Sequence, residues 1–207
     1  MGTMTSKASD SKDESLALAR ERELMSRARA GDAVAYGKLF EVHQERIHRM
    51  AYAMLHDQGA AEDCVQDTFA RGWESLSTFR GESAPRAWFT AIALNFCRHR
   101  VRDRKHAPDR AGDHALESGR RAGRPRTRGV ISRIAQKEDR RLLTIALGFL
   151  TETQREVFIL HYDQDLSYEE IGDVLGMRPG AARALAHRAK ETLREKLGTE
   201  LPTLKNA

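Results

Sequence analysis

Apolar positions recur along this chain at steps of three and four and show no run at steps of two. That spacing gives each segment one apolar stripe and predicts amphipathic helices throughout, with no strand. A first helix is expected from about Ser15 to Ala30, ending at Gly31. Asp32 can cap a second, longer one, in which Tyr36, Leu39, Phe40, His43, Ile47, Met50, Ala51 and Met54 form the stripe. Gly59 breaks the chain. A third helix follows over about Ala60–Leu76, with Ala61, Val65, Thr68, Phe69, Gly72, Trp73 and Leu76 inward. The stretch STFRGES, residues 77–83, reads as a loop with Phe79 and Arg80 exposed. Ser83 can cap a fourth helix that holds Pro85 in its first turn and carries Trp88, Phe89, Ile92, Ala93 and Phe96. Further on, Leu142, Leu143, Ile145, Ala146 and Phe149 belong to one helix. Val157, Phe158 and Leu160 belong to another that starts near Thr153, where Glu156 can complete a capping box.

The most specific pattern spans Leu166 to Leu197. Ser167 and Glu170 form a second possible capping box, and Ile171, Val174 and Leu175 share a face. Gly176 suits the left-handed residue that ends a helix, Met177 can plug the corner, and Pro179 fits the next first turn. In the following helix Ala182, Ala186, Ala189 and Leu193 make the stripe, and Arg183, His187, Arg188 and Lys190 lie off it. Two short helices, a tight turn and a basic second helix describe a helix-turn-helix; the alternative is an ordinary helical hairpin with a solvated charged face.

Between the helical stretches the pattern fails. Residues 1–14 are polar and are expected to be disordered. From about Asp103 to Arg133 the chain turns to Arg, Gly, Asp and Pro without apolar periodicity, which reads as a mobile basic linker. The expected fold class is therefore all-α: one helical domain over 15–104, a linker over 105–135, a second helical domain over 136–198 and a fraying tail over 199–207.

Charge adds direction. The 207 residues carry a formal net charge of +5 and a pI near 9.4, which makes an anionic partner such as nucleic acid plausible. On the third helix Glu62, Asp63, Gln66 and Asp67 form a compact acidic and amide patch. Either it complements a helix N-terminus or it docks a partner. The fourth helix ends in Arg98, Arg100, Arg102, Arg104 and Lys105, directly after its aromatics, the pattern of a surface that stacks bases and tracks phosphates. Trp88 serves either there or in the core.

Other chemistry is thin. No apolar run approaches the roughly 20 residues of a membrane span, and the first residues lack a signal-peptide core, so a cytoplasmic location is expected. The eight histidines show no metal-ligand spacing, and no nucleophile–base pair or phosphate-binding loop appears. The expectation is no metal, no cofactor and no enzymatic activity. His43 reads as a hydrogen-bonded core histidine. Cys64 and Cys97 read as buried small hydrophobes, with a redox switch as the alternative.

In these residues the chain resembles the sigma factors of bacterial RNA polymerase, in the small two-domain extracytoplasmic-function group. The markers are AEDCVQDTFARGWESLSTFRG, WFTAIALN and LTETQREVFILHYDQDLSYEEIGDVLG, in that order and spacing, over roughly Leu24–Lys105 and Arg140–Leu197. The resemblance implies that the first domain is sigma region 2. Its third helix would grip a coiled coil on the largest polymerase subunit through Glu62, Asp63, Gln66 and Asp67. The loop and fourth helix would open the minus-ten promoter element and capture a flipped base. The matching positions are Phe79, Arg80, Gly81, Glu82 and Ser83, with Arg86, Trp88 and Asn95, while Arg98 and Arg100 hold phosphates. Flipping costs a few kcal/mol of unstacking, offset in a pocket that stacks the base.

The second domain is implied to be region 4, contacting the polymerase flap and reading the minus-thirty-five element. Its DNA contacts would be Tyr168, Arg178, Ala181, Arg183, Ala184, His187, Arg188 and Lys190. Arg178 or Arg183 is expected to read a base, for roughly 1–3 kcal/mol of discrimination, and Arg188 and Lys190 to hold phosphate. An anti-sigma factor is implied as a further partner. Departures from the family pattern are Arg178, where a polar cap is usual, the stretch Ala181 to Leu185, which leaves Leu185 as an exposed apolar side chain, and His99, where Asp is usual. The competing reading is a stand-alone helix-turn-helix regulator, which leaves the acidic patch and the aromatic loop without a role.

Overall fold

The computed structural model describes residues 4–106 and 144–200, with side chains over 15–104 and 144–196. The elements are α1 (Met4–Arg29), α2 (Ala33–Leu55), α3 (Gln58–Glu74), a 3-10 turn (Leu76–Thr78), α4 (Pro85–His106), helical residues 144–148 (α5), α6 (Glu152–Tyr162), α7 (Tyr168–Leu175) and α8 (Pro179–Glu200). No strand occurs among the described residues. The expected linker and the Leu142–Leu143 pair lie mostly or wholly outside them.

Helix ends follow their capping chemistry. The Asp32 carboxylate accepts from the Val34 and Ala35 N–H groups and pairs with Arg27 at 2.6 Å. Those bonds hold its pKa below the usual carboxylate value. Where polarity suggested disorder, α1 instead starts at Met4; residues 4–14 contain neither Gly nor Pro to break a helix. The break before α3 falls at His56, in the left-handed region at φ 55°, and Asp57 caps α3. Gly59 therefore lies inside the first turn. α4 begins at Pro85 directly after Ala84, so Ser83 stands one residue ahead of the cap position. The capping box of α6 uses Thr151 and Gln154, two residues earlier than expected, which leaves Glu156 for another purpose.

The first four helices pack around Leu39, Ile47, Met50, Phe69 and Phe89, all buried. His43 is buried with them, its ring tilted on Phe89 and its Nε2 3.3 Å from the Glu21 carboxylate. Trp73 departs from its expected inward place. It is 41% exposed and meets Tyr36 edge-on, at 5.0 Å between ring centroids. Cys64 and Cys97 are buried as expected, but they also face each other across α3 and α4 with sulfurs 3.8 Å apart. The Cys64 thiol and burial push the Cys97 pKa well above the ordinary thiol value.

Gly72 sets the α2–α3 approach. A Cβ there would stand 2.5 Å from the Tyr36 hydroxyl and 3.1 Å from the Phe89 ring. The hydroxyl cannot retreat freely because it donates to the Phe69 carbonyl at 2.6 Å, and burial holds the phenol above its usual pKa. Gly72→Ala is expected to destabilise the first helical group by about 1–3 kcal/mol. A lower urea midpoint with an unchanged slope would show it.

Helices α6, α7 and α8 form a second group around Val157, Leu160, Ile171, Ala182, Ala186 and Ala189. It rests on the first group through α2 against α6 and α4 against α7. The contact is largely ionic: Arg46–Asp165 at 3.0 Å, Arg49–Asp163 at 3.1 Å, Arg86–Glu170 at 3.4 Å and Arg98–Glu156 at 2.7 Å. The Gln164 amide donates to the Arg46 carbonyl at 3.0 Å. A cavity of about 320 Å³ opens beside it, lined by Tyr52, Leu147, Phe158 and Tyr162.

Candidate functional site

Three surfaces carry the side chains singled out by sequence. On α3, positions two turns deep keep Glu62, Asp63, Gln66 and Asp67 on one exposed face. Glu62 accepts from the Gln58 amide at 2.8 Å, and Asp63 accepts from Arg100 at 3.2 Å. The patch continues onto α2, where Phe40, Glu41, Gln44, Glu45 and His48 line a shared groove with Glu62 and Gln66. Sequence reading missed the α2 half. Its signal was the polar face opposite the apolar stripe, with Glu41, Gln44, Glu45 and His48 at helical spacing.

The second surface runs from the 3-10 turn into α4. Phe79 is buried rather than exposed: it packs edge-on against Trp88 at 5.5 Å, and Trp88 packs edge-on against Phe89 at 5.0 Å. A loop phenylalanine next to a helix rich in aromatics gains more from burial than from solvent. Trp88 itself is half-buried, so its two readings are both partly met. Arg80, Gly81 and Glu82 project outward, with Gly81 at φ 79°, and Ser83 is half-buried. Asn95 is exposed at an open cleft between α4 and α6, shared with Arg98, His99, Arg102, Glu152 and Thr153.

The arginines of this surface are not free. Arg98 makes a two-pronged pair with the buried Glu156 carboxylate, with both N···O distances 2.7 Å, and Glu156 holds its pKa above the ordinary value. Arg86 reaches Glu170 on α7. Arg100 lies over the Phe96 ring at 5.1 Å while it binds Asp63. His99 accepts at Nδ1 from Arg102 at 2.6 Å; because arginine only donates, Nδ1 is the bare nitrogen.

The third surface is the helix-turn-helix. Ser167 and Glu170 make both halves of the capping box, and Gly176 is left-handed at φ 69°. Gly172 brings the two helices together, since a Cβ there would lie 2.7 Å from the Met177 carbonyl. The stripe Ala182, Ala186, Ala189 and Leu193 is buried. Arg178, just ahead of α8, and Ala181, Arg183, Ala184, His187, Arg188 and Lys190 along it are exposed. Leu185 corrects the expectation: it is half-buried and packs on the core, because its position follows the stripe by three residues from Ala182. Tyr168, half-buried at the start of α7, lies under the Arg183 guanidinium, 5.2 Å from ring centroid to carbon.

The acidic face, the aromatic turn and the basic helix thus stand on three separate parts of one chain.

Comparison with known proteins finds the pattern of sigma-70 region 2 over residues 39–107 and of sigma-70 region 4 over residues 140–193. The chain is similar to the RNA polymerase sigma factor CarQ of Myxococcus xanthus, 33% identical over 177 residues, covering 84% of this chain and 95% of CarQ. It is also similar to a Xanthomonas campestris protein named "Probable RNA polymerase sigma factor RfaY", 28% identical over 172 residues; the match covers 82% of this chain and spans 42% of that longer protein. Among solved structures, CnrH in complex with the cytosolic domain of CnrY superposes with a TM-score of 0.68 at 25% identity, covering 87% of this chain and 99% of CnrH.

Proposed function

This chain belongs to the sigma-70 family of RNA polymerase sigma factors, in its extracytoplasmic-function group, and on that premise we propose that it is a promoter-specificity subunit. It binds bacterial core RNA polymerase, directs it to a particular promoter set, helps open the DNA and leaves bond-making to the polymerase. The observation that carries this reading is the coexistence on one chain of a region 2 segment with an acidic outer face and a region 4 segment with an exposed basic helix. A stand-alone regulator would need only the second.

In this reading, Glu62, Asp63, Gln66 and Asp67 dock the coiled coil of the largest polymerase subunit, and region 4 docks the flap. Arg80 to Ser83, with Arg86, Trp88, Asn95, Arg98 and Arg100, take the minus-ten element. Phe79 acts from beneath, by holding Trp88. Arg183 reads a base at minus thirty-five while Arg188 and Lys190 hold phosphate. An anti-sigma factor keeps the chain inactive by covering these faces; the similar CnrH is itself seen in complex with the cytosolic domain of CnrY. No described helix is long and apolar enough to cross a membrane, and we place the chain in the cytoplasm, where core polymerase is.

Run-off transcription with purified core polymerase and a genomic promoter library tests the function. New, specific transcripts that require this protein are expected. Duplex binding without polymerase, with no binding to core, would replace the reading with the stand-alone regulator. Arg183→Ala is expected to lower use of promoters that depend on the minus-thirty-five element by about 5- to 150-fold. Equal loss on templates lacking that element would contradict the assignment.

A further inference from the structure

Three side chains from the three helices of region 4 form a ladder that ends at Arg183. His161, near the end of α6, has its Nδ1 3.0 Å from the Leu166 carbonyl in the α6–α7 connection. A carbonyl only accepts, so the proton sits on Nδ1 and the ring plane is fixed. The Tyr168 ring stacks on that imidazole, with centroids 4.4 Å apart and planes 24° from parallel. The Arg183 guanidinium then lies over the Tyr168 ring. The residues are 22 apart from end to end of the ladder only through the fold; nothing in the helical spacing of α8 brings them together.

From this geometry we propose that Tyr168 and His161 are positioning residues for Arg183 and determine how sharply it discriminates bases at minus thirty-five. The inference rests on the reading of Arg183 as the base-contacting side chain. An arginine on an exposed helix face samples many rotamers, and ordering it on binding costs conformational entropy. A ring face beneath the guanidinium attracts the cation and restricts those rotamers before DNA arrives. The imidazole behind the ring fixes the ring in turn. A wrong base then meets a guanidinium that is held in place, rather than one free to swing to a phosphate, so discrimination rises more than affinity does.

This predicts a division between two substitutions at one position. Tyr168→Leu removes the ring; Tyr168→Phe keeps it and removes only the hydroxyl. The measurement is competition binding of the full chain, assembled with core polymerase, to promoters carrying every single-base change in the minus-thirty-five element. Tyr168→Leu is expected to flatten the preference at the base position that Arg183→Ala also flattens, by about two- to fivefold. Preference at other positions should hold. Tyr168→Phe should keep the preference, even if the lost hydroxyl weakens binding uniformly. His161→Ala should act in the same direction as Tyr168→Leu and to a smaller extent. Circular dichroism melts of each variant separate a folding defect, which would weaken binding to all sequences alike. If Tyr168→Leu and Tyr168→Phe behave alike, with discrimination unchanged, Tyr168 is a phosphate or packing residue and the proposal falls. If Arg183→Ala itself leaves every base preference intact, the reading of Arg183 fails first and takes the ladder's role with it.

Discussion

A chain carrying both Glu62→Lys and Asp67→Lys is expected to lose binding to core polymerase by a thousandfold or more while keeping its fold. Both side chains are exposed on α3, and neither pairs with a buried group. The double change turns an acidic face into a basic one, and like-charge juxtaposition at an interface costs several kcal/mol. The cost to the fold is small. Lysine at position 62 lies in the first turns of α3, where a positive charge opposes the helix dipole by about 0.3–1 kcal/mol. Core affinity by fluorescence anisotropy, set against a thermal melt of the same preparation, gives both numbers. Affinity within tenfold of the unaltered chain would remove this face from the interface. Glu41→Lys with Glu45→Lys on α2 is the companion variant; a comparable loss there would extend the interface along the groove that the two helices share.

The second large effect concerns Glu156. Its carboxylate is buried against α4 and takes both prongs of Arg98. Glutamine has the same shape without the charge, so Glu156→Gln leaves the packing of α6 intact and weakens the pair. Hydrogen bonds to charged groups contribute roughly 1.5–3 kcal/mol, and Arg98 is partly solvated, so a net loss of about 1–2 kcal/mol is reasonable. That shifts the balance between packed and separated helical groups by about tenfold in favour of separation. Small-angle X-ray scattering should report a larger radius of gyration. Arg98, released from Glu156, should bind minus-ten single-stranded DNA more tightly. The exchanged pair, Arg98→Glu with Glu156→Arg, should restore the compact form without restoring the DNA affinity. An unchanged radius together with unchanged DNA binding would mean that the pair is incidental to the contact between the groups.

The helices and their inner faces were legible in the sequence because apolar periodicity is a local signal. The Ser167 capping box, the left-handed Gly176 and the alanine stripe of α8 all follow from a few adjacent residues. What escaped is non-local. Its loop position predicts an exposed Phe79 and says nothing about Trp88, which packs against it. A three-residue spacing predicts Glu156 in a helix cap, whereas its partner Arg98 is 58 positions away. Trp73 shares a stripe with buried residues but is exposed, with Tyr36 of α2 meeting it edge-on. The pairing of Cys64 with Cys97 and the ladder under Arg183 depend on helix packing, which single-chain spacing does not encode. The acidic patch was half legible, since its α2 side lay on a polar face that looked merely solvated.

The short distance between α4 and α6 has a consequence for promoter architecture. Elements centred near minus ten and minus thirty-five are about 25 base pairs apart, roughly 85 Å along a B-form axis. The arginine assigned to the first element and the first full helix of the group that holds the reader of the second are joined at Arg98 and Glu156, 2.7 Å apart. Packed this way, one chain can address either element but cannot bridge the interval between them. The packed form of the two helical groups therefore does not set the spacer length. Whatever holds the two helical groups apart, core polymerase in the reading above, sets how many base pairs the promoter is allowed between its two halves.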